Sequence, residues 1–174
     1  MFHSLKNNRH ILKFYNWYET RNHLWIIFEY CAGGDLFQVI ELDKKLPEDT
    51  VKKFGRDLAQ GLYYLHANAV VYCDLKPSNI LINEYNTLKF CDFGLARKLT
   101  DLQAAAQGKG DDSLDVKGDK KSGTPYYMAP ELFTDDGVHS FQSDCWALGC
   151  VLFEMATGRP PFAAQGLSDL ISQI

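Results

Sequence analysis

Three groups of residues in this 174-residue chain combine side-chain types and spacings suited to chemistry. Asp74-Leu75-Lys76-Pro77-Ser78-Asn79 places a carboxylate, an ammonium and a carboxamide close together. Thirteen residues after Asn79 comes Asp92-Phe93-Gly94, and further on Gly123-Thr124-Pro125-Tyr126-Tyr127-Met128-Ala129-Pro130-Glu131. Asp74 is able to accept or orient a proton, and Lys76 sets a positive charge beside it. Asn79 and Asp92 are hard oxygen donors of the kind that hold Mg2+. Gly94 gives the backbone freedom for a sharp change of direction after Asp92. Asp-Phe-Gly alone arises by chance, but all three groups in this order and spacing are a specific signal.

Taken together, these motifs resemble those of the eukaryotic protein kinases. That resemblance implies phosphoryl transfer, in which catalysis is mostly alignment and cation placement around dispersed negative charge. It implies ATP and Mg2+ as cofactors, with Asn79 and Asp92 as the metal ligands. It also implies that Asp74 accepts or orients the proton of a substrate hydroxyl and that Lys76 sits by the γ-phosphate. The Asp-Leu-Lys-Pro-x-Asn form is that of Ser/Thr kinases; tyrosine kinases usually carry Ala-Ala-Arg or Arg-Ala-Ala there. Thr124 matches the hydroxyl that links the catalytic Asp and Lys in Ser/Thr kinases; its plainer role is a turn hydroxyl before Pro125. Residues 28–36, Phe-Glu-Tyr-Cys-Ala-Gly-Gly-Asp-Leu, resemble the hinge between kinase lobes. By that likeness Phe28 is the gatekeeper, backbone groups of Glu29 and Cys31 pair with the purine edge, Asp35 reaches the ribose and Leu81 forms the pocket floor. Cys31, Cys73 and Cys91 fall at the same site, with Cys91 bordering the nucleotide; small apolar filling is favoured over redox control.

The chain departs from the family pattern in places. His-Arg-Asp is replaced by Tyr72-Cys73-Asp74, which removes the Arg that normally pairs with a phosphorylated activation segment. Switching by phosphorylation at Ser113 or Ser122 is therefore disfavoured. Tyr72 is expected to stack with Phe93, Phe14 and Phe2, with Asp144 anchoring the base of that column. No Gly-x-Gly-x-x-Gly and no Val-Ala-x-Lys occurs, and Gly118–Thr124 lacks the Lys-Ser of a P-loop. The Arg that usually pairs with Glu131 is absent too. The resemblance thus covers about two-thirds of a kinase domain, and the fragment itself is expected to be weakly active or inactive and poorly soluble. Residues 12–20 and 72–77 look most like the Fused-related branch, which implies protein substrates and cytoskeletal or regulatory protein partners. Some members of that branch are judged catalytically dead; Asp74, Lys76, Asn79 and Asp92 are all present here, which argues for a parent built for catalysis. A pseudokinase or scaffold is the alternative.

Elements must position these groups. Residues 11–18 and 24–29 are rich in aromatic and β-branched side chains around a polar turn, which predicts two antiparallel strands. Asp35 is placed to cap a short helix through residue 42, and Pro47 to open a longer one. Val51, Phe54, Leu58, Leu62 and Leu65 recur on one face of that second helix, the pattern of a core-facing stripe. Residues 80–83 and 87–90 read as a hairpin. Residues 100–123 read as a solvated, disordered loop, and 140–157 as a helix apolar on nearly all sides from Cys145 onward, hence one buried in a larger structure and left partly uncovered in this fragment.

Composition narrows the functional classes. The chain is 46% hydrophobic and 23% charged, with a net charge of −4. No basic stripe suggests a nucleic-acid partner. Eleven Phe, nine Tyr and three Trp exclude disorder of the whole chain. The longest apolar run, residues 145–153, is far shorter than the roughly 20 residues of a membrane span, so no membrane partner is expected. No apolar segment begins the chain, so no signal peptide is expected. Five cysteines without CxxC or zinc-type spacing indicate a reducing, cytoplasmic setting. The fold expected is α+β and kinase-like. Residues 1–30 form a truncated N-lobe of two strands and the end of a helix, 31–34 the hinge, and 35–174 a mainly helical C-lobe lacking its last helices, with 92–131 the activation segment.

Overall fold

The computed structural model describes residues 5, 8–106, 125–134 and 137–174. Strands β1 (Phe14–Glu19) and β2 (Leu24–Phe28) pair antiparallel, Phe14 facing Phe28 and Glu19 facing Leu24, with a register shift between Phe14 and Asn16. The Thr20 N–H closes the turn on the His23 carbonyl at 2.8 Å. This ribbon joins the rest of the protein through its leading residues: Leu12 N–H donates to Phe90 O (2.9 Å) and Phe90 N–H to His10 O (2.7 Å). Ile11, expected within the first strand, makes an isolated parallel bridge to Phe90 instead.

Helix α1 (Leu36–Asp43) is capped as its sequence predicts, with Asp35 Oδ1 accepting the Gln38 N–H at 2.8 Å. Helix α2 (Glu48–Ala67) starts just after Pro47, which is its N-cap residue rather than its first helical one. Phe54, Leu58, Leu62 and Leu65 are buried along α2, and Val51 packs against the same core. Each such burial is worth about 1.5–3 kcal/mol. Strand β3 (Val70–Val71) follows, then a 3-10 turn (Pro77–Asn79) leading into the hairpin β4 (Ile80–Ile82) and β5 (Leu88–Phe90). Gly61 on α2 lets β5 approach closely, since a Cβ there would lie 2.6 Å from the Phe90 ring.

Strand β6 (Arg97–Lys98) pairs antiparallel with β3 and runs into α3 (Leu99–Ala106). This helix corrects the reading of 100–123 as an unstructured loop. Leu99 N–H donates to Ala69 O at 2.8 Å to anchor its start, and Leu102 is buried beneath it. The remainder of that segment lies outside the described residues. Two further 3-10 turns (Pro125–Tyr127 and Pro130–Phe133) precede α4 (Phe141–Thr157) and α5 (Leu167–Gln173). Helix α4 is partly uncovered in this chain, as expected for a partial kinase domain. Ala147, Cys150, Val151 and Met155 face the core, whereas Cys145 is exposed and Phe153 is 43% exposed.

Candidate active site

The loop from Tyr72 to Asn79 is held from below by α4. Ser140 and Ser143 form a reciprocal capping box that sets the first turn of that helix, and Asp144 follows at once. Its carboxylate is buried; Oδ2 accepts the Tyr72 N–H (2.8 Å) and lies 2.9 Å from His66 Nε2, while Oδ1 accepts the Cys73 N–H (2.9 Å). These bonds keep Cys73 at φ 70°, a left-handed conformation that costs a non-glycine residue about 1–3 kcal/mol. Asp144 thus anchors the loop as expected. The Tyr72 ring meets Phe90 (5.1 Å) and Phe93 (5.3 Å) edge to face, and its hydroxyl donates to the Cys91 carbonyl. Phe14 meets Phe28 edge to face at 5.9 Å. Phe2, the other ring expected in this column, lies outside the described residues.

Asp74, Lys76 and Asn79 come together at the loop's outer edge. Lys76 Nζ lies 2.9 Å from Asp74 Oδ2. Asn79 Nδ2 donates to the same oxygen (2.7 Å) and to the Asp74 carbonyl (2.9 Å). One face of the Asp74 carboxylate is therefore tied down, and the carboxamide oxygen of Asn79 is left as an acceptor. Asp92 is brought alongside because Cys91 N–H donates to Asn79 O at 3.0 Å. Asp92 is exposed, has φ 48°, and accepts the Gly94 N–H on Oδ1 at 3.1 Å, which leaves its second oxygen open. The donors on offer are thus one carboxylate oxygen and one carboxamide oxygen. That set suits Mg2+, which is commonly held by one or two carboxylates together with phosphate oxygens. Among the described residues, no cluster of three His, Cys, Asp or Glu side chains forms a self-sufficient metal cage. Thr124, Ser113 and Ser122 lie outside the described residues.

Residues 31–35 run beside β4 without forming a strand of their own. Gly33 N–H donates to Ile82 O and Ile82 N–H to Gly34 O, both at 2.9 Å, and Asp35 bridges Leu81. Gly33 permits this contact, because a Cβ would lie 2.8 Å from Ile82. Leu81 is therefore held beside residues 33–35. Glu29 directs its N–H to Lys13 O at 2.9 Å. Asp35 uses Oδ1 to cap α1. Burial pushes the Cys91 thiol up to about 12 and raises the Cys31 and Cys73 thiols as well. These are poor nucleophiles, in keeping with small apolar filling. Sequence reading missed Lys89, a buried lysine on β5 whose Nζ lies 2.8 Å from Glu29 Oε1. Alternation along Leu88-Lys89-Phe90 places Lys89 on the opposite face from its neighbours, yet it does not name the partner.

The family model for the protein kinase domain matches residues 1–174. The chain belongs to the protein kinase domain family. It is 51% identical over 174 residues to serine/threonine-protein kinase RUNKEL of Arabidopsis thaliana, covering all of this chain and 12% of that protein. It is 42% identical over 183 residues to serine/threonine-protein kinase ULK4 of Mus musculus, covering 99% of this chain and 14% of that protein. It is also 37% identical over 172 residues to the inactive serine/threonine-protein kinase PLK5 of Mus musculus, covering 99% of this chain and 27% of that protein. The chain therefore spans about an eighth of the length of the first two relatives. The partial kinase fold is that expected from the motifs, and no helix of the described residues is long and apolar enough to cross a membrane.

Proposed function

We propose that this chain is part of an ATP-dependent serine/threonine protein kinase that transfers the γ-phosphoryl group of ATP to protein hydroxyls. The observation that supports this most is the joining of Asp74, Lys76 and Asn79 by contacts of 2.7–2.9 Å, with Asp92 tethered next to them through Cys91. Asp74 Oδ2 is occupied by Lys76 and Asn79, so its other oxygen accepts the proton of the substrate hydroxyl while the hydroxyl oxygen bonds to the γ-phosphorus, the bond from that phosphorus to the β–γ bridging oxygen breaks, and ADP leaves. Lys76 steadies the developing charge at the γ-phosphate. Asn79 and Asp92 would hold Mg2+, which neutralises phosphate charge when bound. Phe28, Cys31, Asp35, Leu81 and Cys91 line the nucleotide side in this reading, with Thr124 linking Asp74 and Lys76. Residues 1–30, 31–34 and 35–174 are then small-lobe remnant, hinge and large lobe, with 92–131 the activation segment. Protein Ser/Thr substrates, cytoskeletal or regulatory partners and a cytoplasmic setting belong to the same proposal.

Phosphate transfer to a generic Ser/Thr protein substrate tests it. We expect weak turnover, since the 174 residues contain no glycine-rich loop and misplacement of about 1 Å costs on the order of a hundredfold. Asp74→Asn should lower that turnover by at least about a hundredfold. Turnover that survives the substitution would sink the assignment of Asp74. A second reading, a pseudokinase or scaffold, draws on the relative named inactive and on Cys73 in place of the family Arg. Partner binding without any Asp74-dependent transfer would favour it.

A further inference from the structure

Among the described residues the sheet of β1 and β2 has two strands, so the outer side of β2 is an open edge. The groups along that edge follow from the turn. Thr20 N–H donates to His23 O at 2.8 Å, so Tyr18–Trp25 is the next hydrogen-bonded pair. Glu19–Leu24 and Trp17–Ile26 are then pairs of the non-bonded kind. The Trp17 N–H agrees, since it goes to Asn16 Oδ1 at 2.9 Å. Leu24 and Ile26 therefore turn their backbone N–H and C=O groups away from β1. Among the described residues no bond outside the ladder ends on either of them. The two edges of the ribbon differ. On β1 the outward Trp17 N–H is already taken and Glu19 is acidic, both of which discourage a further strand. On β2 the run Leu-Trp-Ile-Ile-Phe has no charge, Pro or Gly, and Leu24, Trp25, Ile26 and Ile27 are 43–59% exposed.

We infer that the β2 edge pairs antiparallel with β2 of a second copy of this chain, about a two-fold axis at Ile26, to form a four-stranded sheet in a weak homodimer. This register is self-complementary. Ile26 meets Ile26 of the second copy and exchanges both N–H···O bonds with it, while Trp25 meets Ile27 and Leu24 meets Phe28. Aromatic and β-branched pairs of this kind are favourable across strands. His23 and Glu29 are the titratable groups of residues 23–29, and the two-fold axis sets each opposite the other, so like charges never meet. Four side chains of this size, about half exposed, offer on the order of 100 Å² each. Eight of them across two copies give roughly 800 Å², the scale of a transient interface. A two-stranded ribbon is marginal in water, so the added strands also steady β1 and β2.

Sedimentation equilibrium of the 174-residue chain tests this. A mass of twice 19.8 kDa is expected at tens of micromolar, falling to the monomer on dilution. Ile26→Pro removes the outward N–H at the axis and leaves the β1 ladder intact, so it should weaken the dimer at least about tenfold. Glu19→Pro makes the same change on the β1 edge and should leave the dimer as it is in the wild-type chain. The inference is overturned if Ile26→Pro dimerises as tightly as the wild-type chain or if Glu19→Pro weakens the dimer as much. A wild-type mass that stays at the monomer, or grows past the dimer, overturns it too. If circular dichroism shows that Ile26→Pro does not fold, cross-linking with a short bismaleimide decides. Ile26→Cys should then join as dimers well above the wild-type background. Leu24→Cys should not, because its two copies lie roughly 14 Å apart, four residues at about 3.4 Å each. Equal joining by both would overturn the register and the dimer with it.

Discussion

Around Tyr72–Asn79 the inward-facing polar groups are matched with partners from distant parts of the chain, whereas β1 and β2 hold chiefly each other. Tyr72 N–H and Cys73 N–H end on Asp144, some seventy residues away, and Asn79 and Lys76 converge on Asp74. In the ribbon, Trp17, Trp25, Ile26 and Ile27 are all at least 43% exposed, and Tyr18 stacks on Trp25 at 6.0 Å. Cross-strand pairs of that kind contribute about 0.2–1 kcal/mol each, and an isolated two-stranded ribbon is marginal in water. The candidate chemistry therefore rests on the self-supporting half of the molecule, and the ribbon that leads to Glu29 rests on the half with fewer supports. Exposed apolar side chains in a contiguous ribbon also favour association, a second ground for expecting the chain on its own to dissolve poorly.

Four experiments would break or sharpen this contrast. The largest effect should be on thiol reactivity, which reports how dry the loop is. With its thiol raised to about 12, Cys91 should alkylate about a thousandfold more slowly near neutral pH than an ordinary thiol. ATP should slow it further while leaving the exposed Cys145 unaffected. Equal Cys91 rates with and without ATP would remove it from the nucleotide border. Next comes Asp144→Ala, which strands two buried backbone N–H groups and should cost about 3 kcal/mol or more in urea unfolding. Trp25→Ser on the ribbon should stay within about 0.5 kcal/mol, and equal losses would erase the distinction.

Tyr72→Phe preserves the ring contacts and removes the hydroxyl that donates to Cys91 O, so a loss of about 1 kcal/mol is expected by the same measurement. A neutral result would show that this hydroxyl does not support the strand bearing Asp92. The smallest effect should appear at Glu154, whose carboxyl is raised by burial, against a lowering hydrogen bond from Tyr127 at 2.7 Å. A raised carboxyl means the folded state holds this proton more tightly than the unfolded one. The penalty is absent below the ordinary carboxylate range, grows as pH rises through the raised value, and is full above it. Glu154→Gln should therefore gain on the wild-type chain at pH 8 relative to pH 4. The opposite trend in paired urea titrations would show that the Tyr127 bond dominates.

Much of this was legible in the residues themselves. The three motifs carried the family, the spacing of Phe54, Leu58, Leu62 and Leu65 carried α2, and Asp35 and Ser140 marked helix starts. Helix α3 was not, because Leu99 and Leu102 are its only large apolar residues and a polar stretch follows. Its place depends on β6 pairing with β3 and on Leu99 reaching Ala69. Which faces of α4 are covered was hidden for a related reason, since composition records that side chains are apolar but not which neighbours cover them. The Glu29–Lys89 pin escaped notice because two charged residues sixty positions apart leave no local periodicity.

By itself, then, the order of residues determined which groups are available for chemistry and which short segments favour helix or strand. Those properties follow from side-chain type and from periods of two and 3.6 residues, and they act over a few positions. Tertiary structure decided which oxygen of Asp74 is tied down, why Cys73 and Asp92 sustain left-handed backbone, and that Glu29 meets Lys89. Each of these depends on a hydrogen bond or ion pair between groups brought together only by folding, whose strength is set by burial rather than by sequence neighbours.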